Sequence, residues 1–286
     1  MTIDLHDLAA RVGSLDGLDR VAAPLAAAAK RATPPGPVKD TLSGTFLGHP
    51  LHPLLTDIPI GSFTSASVID LIGGRGGERA ADALIALGLL SAVPTAAAGL
   101  ADWSDTNGDE KRIGVAHAAA NATGLVLYAA SLFARRRGRR SSGRALALAG
   151  MGAMTVGGYL GGHLAFSRGI GVNNGFWQHG PETWTSVLDD AELGEGAAMM
   201  VRVGDATVLV HRSDGRLFAI SSRCSHAGGP LEEGKIDESG CVTCPWHQSV
   251  FRLDDGSVVH GPATAPQGVY ETRVERGRVE IRARRS

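Results

Sequence analysis

The sequence predicts a multi-domain chain: an α-helical four-span transmembrane bundle followed by an all-β domain. Three observations predict it. Between Leu54 and Ser167 lie four apolar segments, each about as long as a helix that crosses a ~30 Å hydrocarbon core. From Trp184 onward the pattern changes to short alternating runs, such as Ala198 to Val203 and Thr207 to Arg212, broken by the turn signals Ser213-Asp214-Gly215 and Asp254-Asp255-Gly256. Pro34-Pro35-Gly36-Pro37 and a Gly/Asn-rich stretch after Gly169 punctuate the two ends of the apolar region. The expected divisions are residues 1–47, amphipathic helices and a Pro-rich linker; 48–168, the transmembrane domain; 169–183, a linker; and 184–286, the β domain.

Taken in order, Leu5, Leu8, Val12 and Leu15, then Leu18, Val21 and Leu25, recur at helical spacing and predict one or two amphipathic helices packed on their neighbours. No signal peptide is expected here, because Asp4, His6, Asp7 and Arg11 interrupt the place of an apolar core. The spans follow as Leu54 to Ile72, Ala83 to Leu100, Ile113 to Ala134 and Ala145 to Ser167. The last two contain no Asp, Glu, Lys or Arg, whereas the helices of a soluble bundle would show a charged outer face. Gly157 with Gly161 and Gly158 with Gly162 recur every fourth residue and allow close helix contact.

Charge orients the bundle. The loops after the first and third spans carry Arg75, Arg79, Arg135, Arg136, Arg137, Arg139, Arg140 and Arg144, while the other face carries Lys39 and Lys111 with the acids Asp102, Asp105, Asp109 and Glu110. An Arg-rich face is the cytoplasmic one, which places the C-terminal domain on the non-cytoplasmic side of the cell membrane. A net charge of -1 gives no reason to expect nucleic acid as a partner.

The β domain holds the chemistry. Cys224-Ser225-His226 is answered by Cys244-Pro245-Trp246-His247, so each arm supplies one thiolate and one imidazole. A 2Fe-2S cluster of the Rieske kind uses this donor set, with two Cys on one iron and two His on the other. Structural zinc also takes Cys2His2, though fingers usually separate a Cys pair from a His pair. The third cysteine, Cys241, reads as a buried strand residue.

Cys224 to Pro262 resembles a Rieske iron-sulfur domain, closer to the ferredoxin and oxygenase branch than to the cytochrome bc branch. The resemblance implies that Cys224, His226, Cys244 and His247 are the ligands. It also implies a cluster shell of Trp246, Ser249, Phe251 and Pro262, with Gly261-Pro262 as the capping proline loop. Trp246 stands where bc-type members have an extra Cys, and Phe251 where high-potential members have a Tyr beside the Ser hydroxyl, kept here as Ser249. Both departures imply a potential in the lower half of the ~-150 to +300 mV Rieske range. Gln248 replaces the Gly that commonly follows the second His.

The middle of the chain is similar to a bacterial four-helix membrane domain of uncharacterised function that occurs fused to Rieske domains. The similar stretches are Gly48-His49-Pro50-Leu51-His52-Pro53 with Asp57-Ile58-Pro59-Ile60-Gly61, and Gly157 to His163. His49, His52, His117 and His163 are all expected near the face that bears the β domain. Two readings stay open for them: helix caps and hydrogen bonds within the bundle, or a haem b, metal or quinone site. His117 shares a helix face with Asn121, and His163 with Tyr159.

The expectation is therefore a membrane-anchored carrier of single electrons with a redox partner the sequence does not name. The alternatives are a quinol- or haem-linked oxidoreductase and a redox sensor. A complete oxygenase is not expected, because no mononuclear iron site of two His and one carboxylate can be picked out.

Overall fold

The computed structural model describes residues 4–284 of the chain. Helices come first: α1 Leu5–Gly13, α2 Asp19–Ala32, α3 Pro37–Ser43, α4 Leu51–Ile72, α5 Glu78–Trp103, α6 Gly108–Arg136 and α7 Arg140–Gly162, the last running on into a π-helical turn, His163–Ser167. Strands follow: β1 Thr185–Asp189, β2 Ala198–Val203, β3 Ala206–Ser213, β4 Arg216–Ser221, β5 Lys235–Ile236, β6 Cys241–Thr243, β7 Val250–Arg252, β8 Val258–His260, β9 Val269–Glu275 and β10 Arg278–Ala283. The predicted order, helical region then all-β domain, is the observed one. Two compact units result, one of residues 1–33 with 51–170 and one of residues 34–50 with 171–286. The segment before the first long helix thus belongs to the β unit.

In the helical unit, α4 to α7 are each long and apolar enough to cross a membrane. Their outward residues are apolar: Leu90, Val93, Val126, Phe133 and Phe166 are all exposed. Small residues let the interior close. A Cβ on Gly88 would come within 2.6 Å of the Phe63 ring, which stacks on Tyr128 at 4.0 Å between centroids. Of the two glycine pairs, Gly157 and Gly161 carry the close contact, since a Cβ on either would strike Asn121 or His117 of α6. A Cβ on Gly158 would meet nothing within 4 Å.

Two expectations about this unit need correction. The apolar stripe predicted over residues 5–25 does not pack inward as a whole: Leu5, Leu8, Leu15, Val21 and Leu25 are exposed and Val12 and Leu18 half-buried, while Ala9, Ala22, Ala26 and Ala29 are buried. The alanine faces win because they let the backbones approach closely. Nor is Arg135 a loop charge. Its side chain is fully buried, donating to Asp70 from both terminal nitrogens, to Ser131 Oγ from Nε at 3.0 Å and to Asp82 at 3.3 Å. Arg140 and Arg144 likewise pair with Asp82 and Glu78.

The β unit holds two antiparallel sheets, one of order β1-β10-β9-β4-β3-β2 and one of order β5-β6-β7-β8. Asp214 and Gly215, both at positive φ, close the β3–β4 hairpin, as the Asp-Gly signal predicts. One apolar core joins Leu209 and Ile220 of the larger sheet to Val242 and Phe251 of the smaller, and Cys224 and Cys244 sit at its margin. Cys241 is buried in β6.

Candidate metal centre

The two arms are loops of the same construction. Cys224 follows β4 and Cys244 follows β6. In the first, the Cys224 N–H donates to the Gly229 carbonyl at 2.9 Å and the Gly228 N–H donates to the Cys224 carbonyl at 2.8 Å. In the second, the Cys244 N–H donates to the Ser249 carbonyl at 2.8 Å and the Gln248 N–H donates to the Cys244 carbonyl at 3.0 Å. Each loop therefore closes on the fourth and fifth residues after its cysteine. The fourth residue takes a positive φ in both, 74° at Gly228 and 64° at Gln248. Gln248 thus keeps the backbone turn that a glycine would make, at a cost of about 1–2 kcal/mol.

This closure turns backbone N–H groups toward the sulfurs. Cys224 is held by the amides of His226 and Ala227, and Cys244 by those of Trp246 and His247. Such bonds favour a thiolate, as does a shared proton: the Cys224 thiol donates to Cys244, which pushes Cys224 up and draws Cys244 down to about 6. Both cysteines are buried. The His226 and His247 rings stand perpendicular with centroids 5.0 Å apart, and both are half-buried.

The donor set fits a 2Fe-2S cluster: two buried sulfurs that share one proton and each face two backbone amides, beside two imidazoles. The packing fits as well, because Gly229 leaves no room there for a side chain; its Cβ would lie 3.0 Å from Cys244 Sγ and 3.1 Å from the Trp246 ring.

Around the arms, Ser249 is fully buried and its Oγ accepts the Ala263 N–H at 3.0 Å. Pro262, in the cis Gly261–Pro262 peptide, is buried. Phe251 is buried in the core, whereas Trp246 is exposed. Sequence reasoning missed four residues. Asp40 and Thr45 of the segment 34–50 hydrogen-bond the His260–Ala263 loop. Asn174 donates to the His226 carbonyl at 2.8 Å, and Ser225 Oγ to the Ala265 carbonyl at 2.7 Å. Ser225 stands inside the first ligand arm and only its bond to Ala265 went unforeseen; Asp40, Thr45 and Asn174 stand in no recognisable local pattern, and only the fold brings them to the site.

The four histidines singled out earlier are divided between the two units. His49 belongs to the β unit, exposed, with Nδ1 3.1 Å from the Pro50 carbonyl. In the helical unit, His52 and His117 meet edge-on at 6.4 Å. His52 Nδ1 bonds the Thr95 carbonyl at 2.9 Å, and His117 Nδ1 the Gly157 carbonyl at 2.7 Å. His163 is buried against His6, 5.1 Å between centroids, with Tyr159 at 6.5 Å.

Comparison with known proteins places both parts. Residues 183–272 match the family model of the Rieske [2Fe-2S] domain, and residues 48–174 match that of a predicted membrane protein, DUF2231. The chain is 36% identical over 90 residues to the 3-phenylpropionate/cinnamic acid dioxygenase ferredoxin subunit of Photorhabdus laumondii, covering 32% of this chain and 85% of that one. It is also 36% identical over 94 residues to the anthranilate 1,2-dioxygenase ferredoxin subunit of Burkholderia cepacia, covering 33% and 84%. Among solved structures, the ferredoxin of carbazole 1,9a-dioxygenase from Nocardioides aromaticivorans aligns at 27% identity with a TM-score of 0.34, covering 36% of this chain and 99% of that one. By its C-terminal domain the chain belongs to the Rieske [2Fe-2S] family, and it joins that domain to a predicted membrane domain.

Proposed function

We propose that this is a membrane-anchored Rieske iron-sulfur protein that carries single electrons between a membrane-side donor or acceptor and a redox partner. The observation that carries the reading is the pair of like-closed arms, which bring two thiols and two imidazoles together at the margin of one core. Cys224 and Cys244 would hold one iron, and His226 and His247 the other. When bound, the cluster supplies a site that takes up and gives back one electron. The chain does the rest. Backbone amides stabilise the sulfurs as anions, so loading the site releases the proton they share. Trp246 is exposed beside His247, 6.4 Å between ring centroids, and marks the side open to a partner. The similarity to dioxygenase ferredoxin subunits supports electron carriage. The domain divisions 1–47, 48–168, 169–183 and 184–286 belong to this proposal. So does the non-cytoplasmic placement of the β domain, whose charge argument keeps Arg75, Arg79, Arg136, Arg137 and Arg139 now that Arg135, Arg140 and Arg144 pair with acids.

A second reading, a quinol- or haem-linked oxidoreductase, draws on His52 and His117. Each Nδ1 faces a carbonyl and must therefore carry its proton, which leaves Nε2 as the acceptor; at His117 that nitrogen faces Asn121 Nδ2 at 3.3 Å, so a metal there would have to displace this contact. One experiment separates the readings: iron, acid-labile sulfide and optical and EPR spectra of the full chain purified in detergent. About two irons and two sulfides are expected, with a potential in the lower half of ~-150 to +300 mV, and Cys224→Ser should abolish the cluster spectrum. Zinc without sulfide overturns the first reading. A haem band lost in His117→Ala establishes the second.

A further inference from the structure

We propose that Asp40 is a positioning residue for the iron-sulfur site, clamping the loop His260–Ala263 from a segment outside the Rieske match. The inference rests on the reading of the site given above. Asp40 lies on α3, well over a hundred residues before residue 183, where that match begins. Its Oδ1 accepts the Gly261 N–H at 2.8 Å, and its Oδ2 faces His260 Nδ1 at 3.0 Å. Thr45 Oγ1 donates to the Ala263 carbonyl at 3.2 Å. The loop is thus held along its whole length.

The fit is close on both sides. A Cβ at Gly261 would collide with Thr45 Oγ1 and lie 3.2 Å from Asp40 Oδ1, so the segment packs directly on loop backbone. Helix α3 is bounded to suit: Gly36 at φ 131° and Pro37 begin it, and Gly44 at φ 84° ends it. Asp40 is mostly buried, with 19% of its side chain exposed, which strengthens a charge-assisted bond to an amide. The contact to His260 is the lesser part, because that imidazole is half exposed.

From the clamp to a cluster arm is a short path. Ala263 N–H donates to Ser249 Oγ, and the Ser249 carbonyl accepts the Cys244 N–H. The other arm is held in kind, by Asn174 N–H on the Ser225 carbonyl at 2.9 Å and Asn174 Nδ2 on the His226 carbonyl. The two outside segments also meet, with Pro50 Cγ 3.7 Å from where a Cβ on Gly171 would stand. The chain leading into the first apolar helix and the chain leaving the last therefore each fasten one side of the site. Asp40 also sets a carboxylate on the loop that bonds the Cys244 arm, and replacing it by a neutral side chain makes uptake of an electron at that site easier.

The test uses the full chain in detergent with Asp40→Ala and Asp40→Asn. Hydrogen exchange of the peptide 258–266 is followed in protein with and without iron, and the midpoint potential and EPR g values in iron-loaded protein. Asp40→Ala should speed exchange at Gly261 at least about tenfold, the equivalent of ~1.4 kcal/mol of lost protection, and shift the g values. Asp40→Asn keeps an acceptor for Gly261; it should leave exchange near wild type yet raise the potential. Exchange, g values and potential all unchanged in Asp40→Ala overturn the proposal. If that variant does not fold, an unchanged potential in Asp40→Asn overturns it. Wild-type protein without sulfide instead overturns the reading of the site, a failure the exchange experiment on iron-free protein does not share.

Discussion

Replacing Arg135 by Leu leaves Asp70 with 2% of its side chain exposed and without its main partner. An uncompensated buried charge of this kind costs about 3–5 kcal/mol. The lower end applies, because Arg144 Nε lies 3.8 Å from Asp70 Oδ1 and takes up part of the charge. Asp82, the other acid on Arg135, keeps Arg140 at 2.7 Å and is little affected. A loss of ~3 kcal/mol is a factor of roughly 150 in the unfolding equilibrium. The double variant Asp70→Leu with Arg135→Leu removes both charges, and replacing a buried pair by apolar residues is often neutral. It should lie within ~1 kcal/mol of wild type, giving a coupling of at least about 2 kcal/mol between the two sites. The assay is titration of the full chain from detergent micelles into SDS, followed by helical circular dichroism, to which α1, α2 and α4–α7 contribute and the β unit, through the short α3, adds little. Equal stability of Arg135→Leu and wild type would refute the reasoning. So would a double variant as weak as the single one.

Two further predictions concern the arms. Gly229→Ala puts a methyl 3.0 Å from Cys244 Sγ, so less than half of the wild-type sulfide should be retained while the β signal in circular dichroism persists; full loading would show that the loop yields. At Gln248, φ 64° suits glycine and strains a β-branched residue most, so thermal loss of the cluster spectrum should come later or unchanged in Gln248→Gly and earlier in Gln248→Val, by about 1–2 kcal/mol, and the reverse order would contradict the assigned turn.

What was legible in the sequence was whatever short-range spacing encodes. Four long apolar segments, the first of them interrupted by Asp57 and Asp70, declare candidate spans, because composition and a rise of 1.5 Å per residue settle whether a helix can cross a bilayer. Cys224-Ser225-His226 and Cys244-Pro245-Trp246-His247 declare a donor set, because a sulfur and an imidazole so close in the chain are bound to be close in space. Both rest on distances along the chain. Packing decided the remainder. Helical periodicity places Leu5, Leu8, Leu15, Val21 and Leu25 on one stripe, yet which stripe faces inward depends on what the neighbour can accept, and the alanine face closes more tightly on the bundle. Arg135 reads as one loop arginine among several until the fold surrounds it with Asp70, Asp82 and Ser131. Asp40 could not be read at all, since its partner Gly261 is 221 positions away and no local pattern marks a carboxylate that will meet one particular amide. Local spacing determined the cofactor chemistry and the candidate spans; tertiary packing decided which distant residues hold that chemistry in place, because a hydrogen bond depends on where the folded chain brings its donor and acceptor.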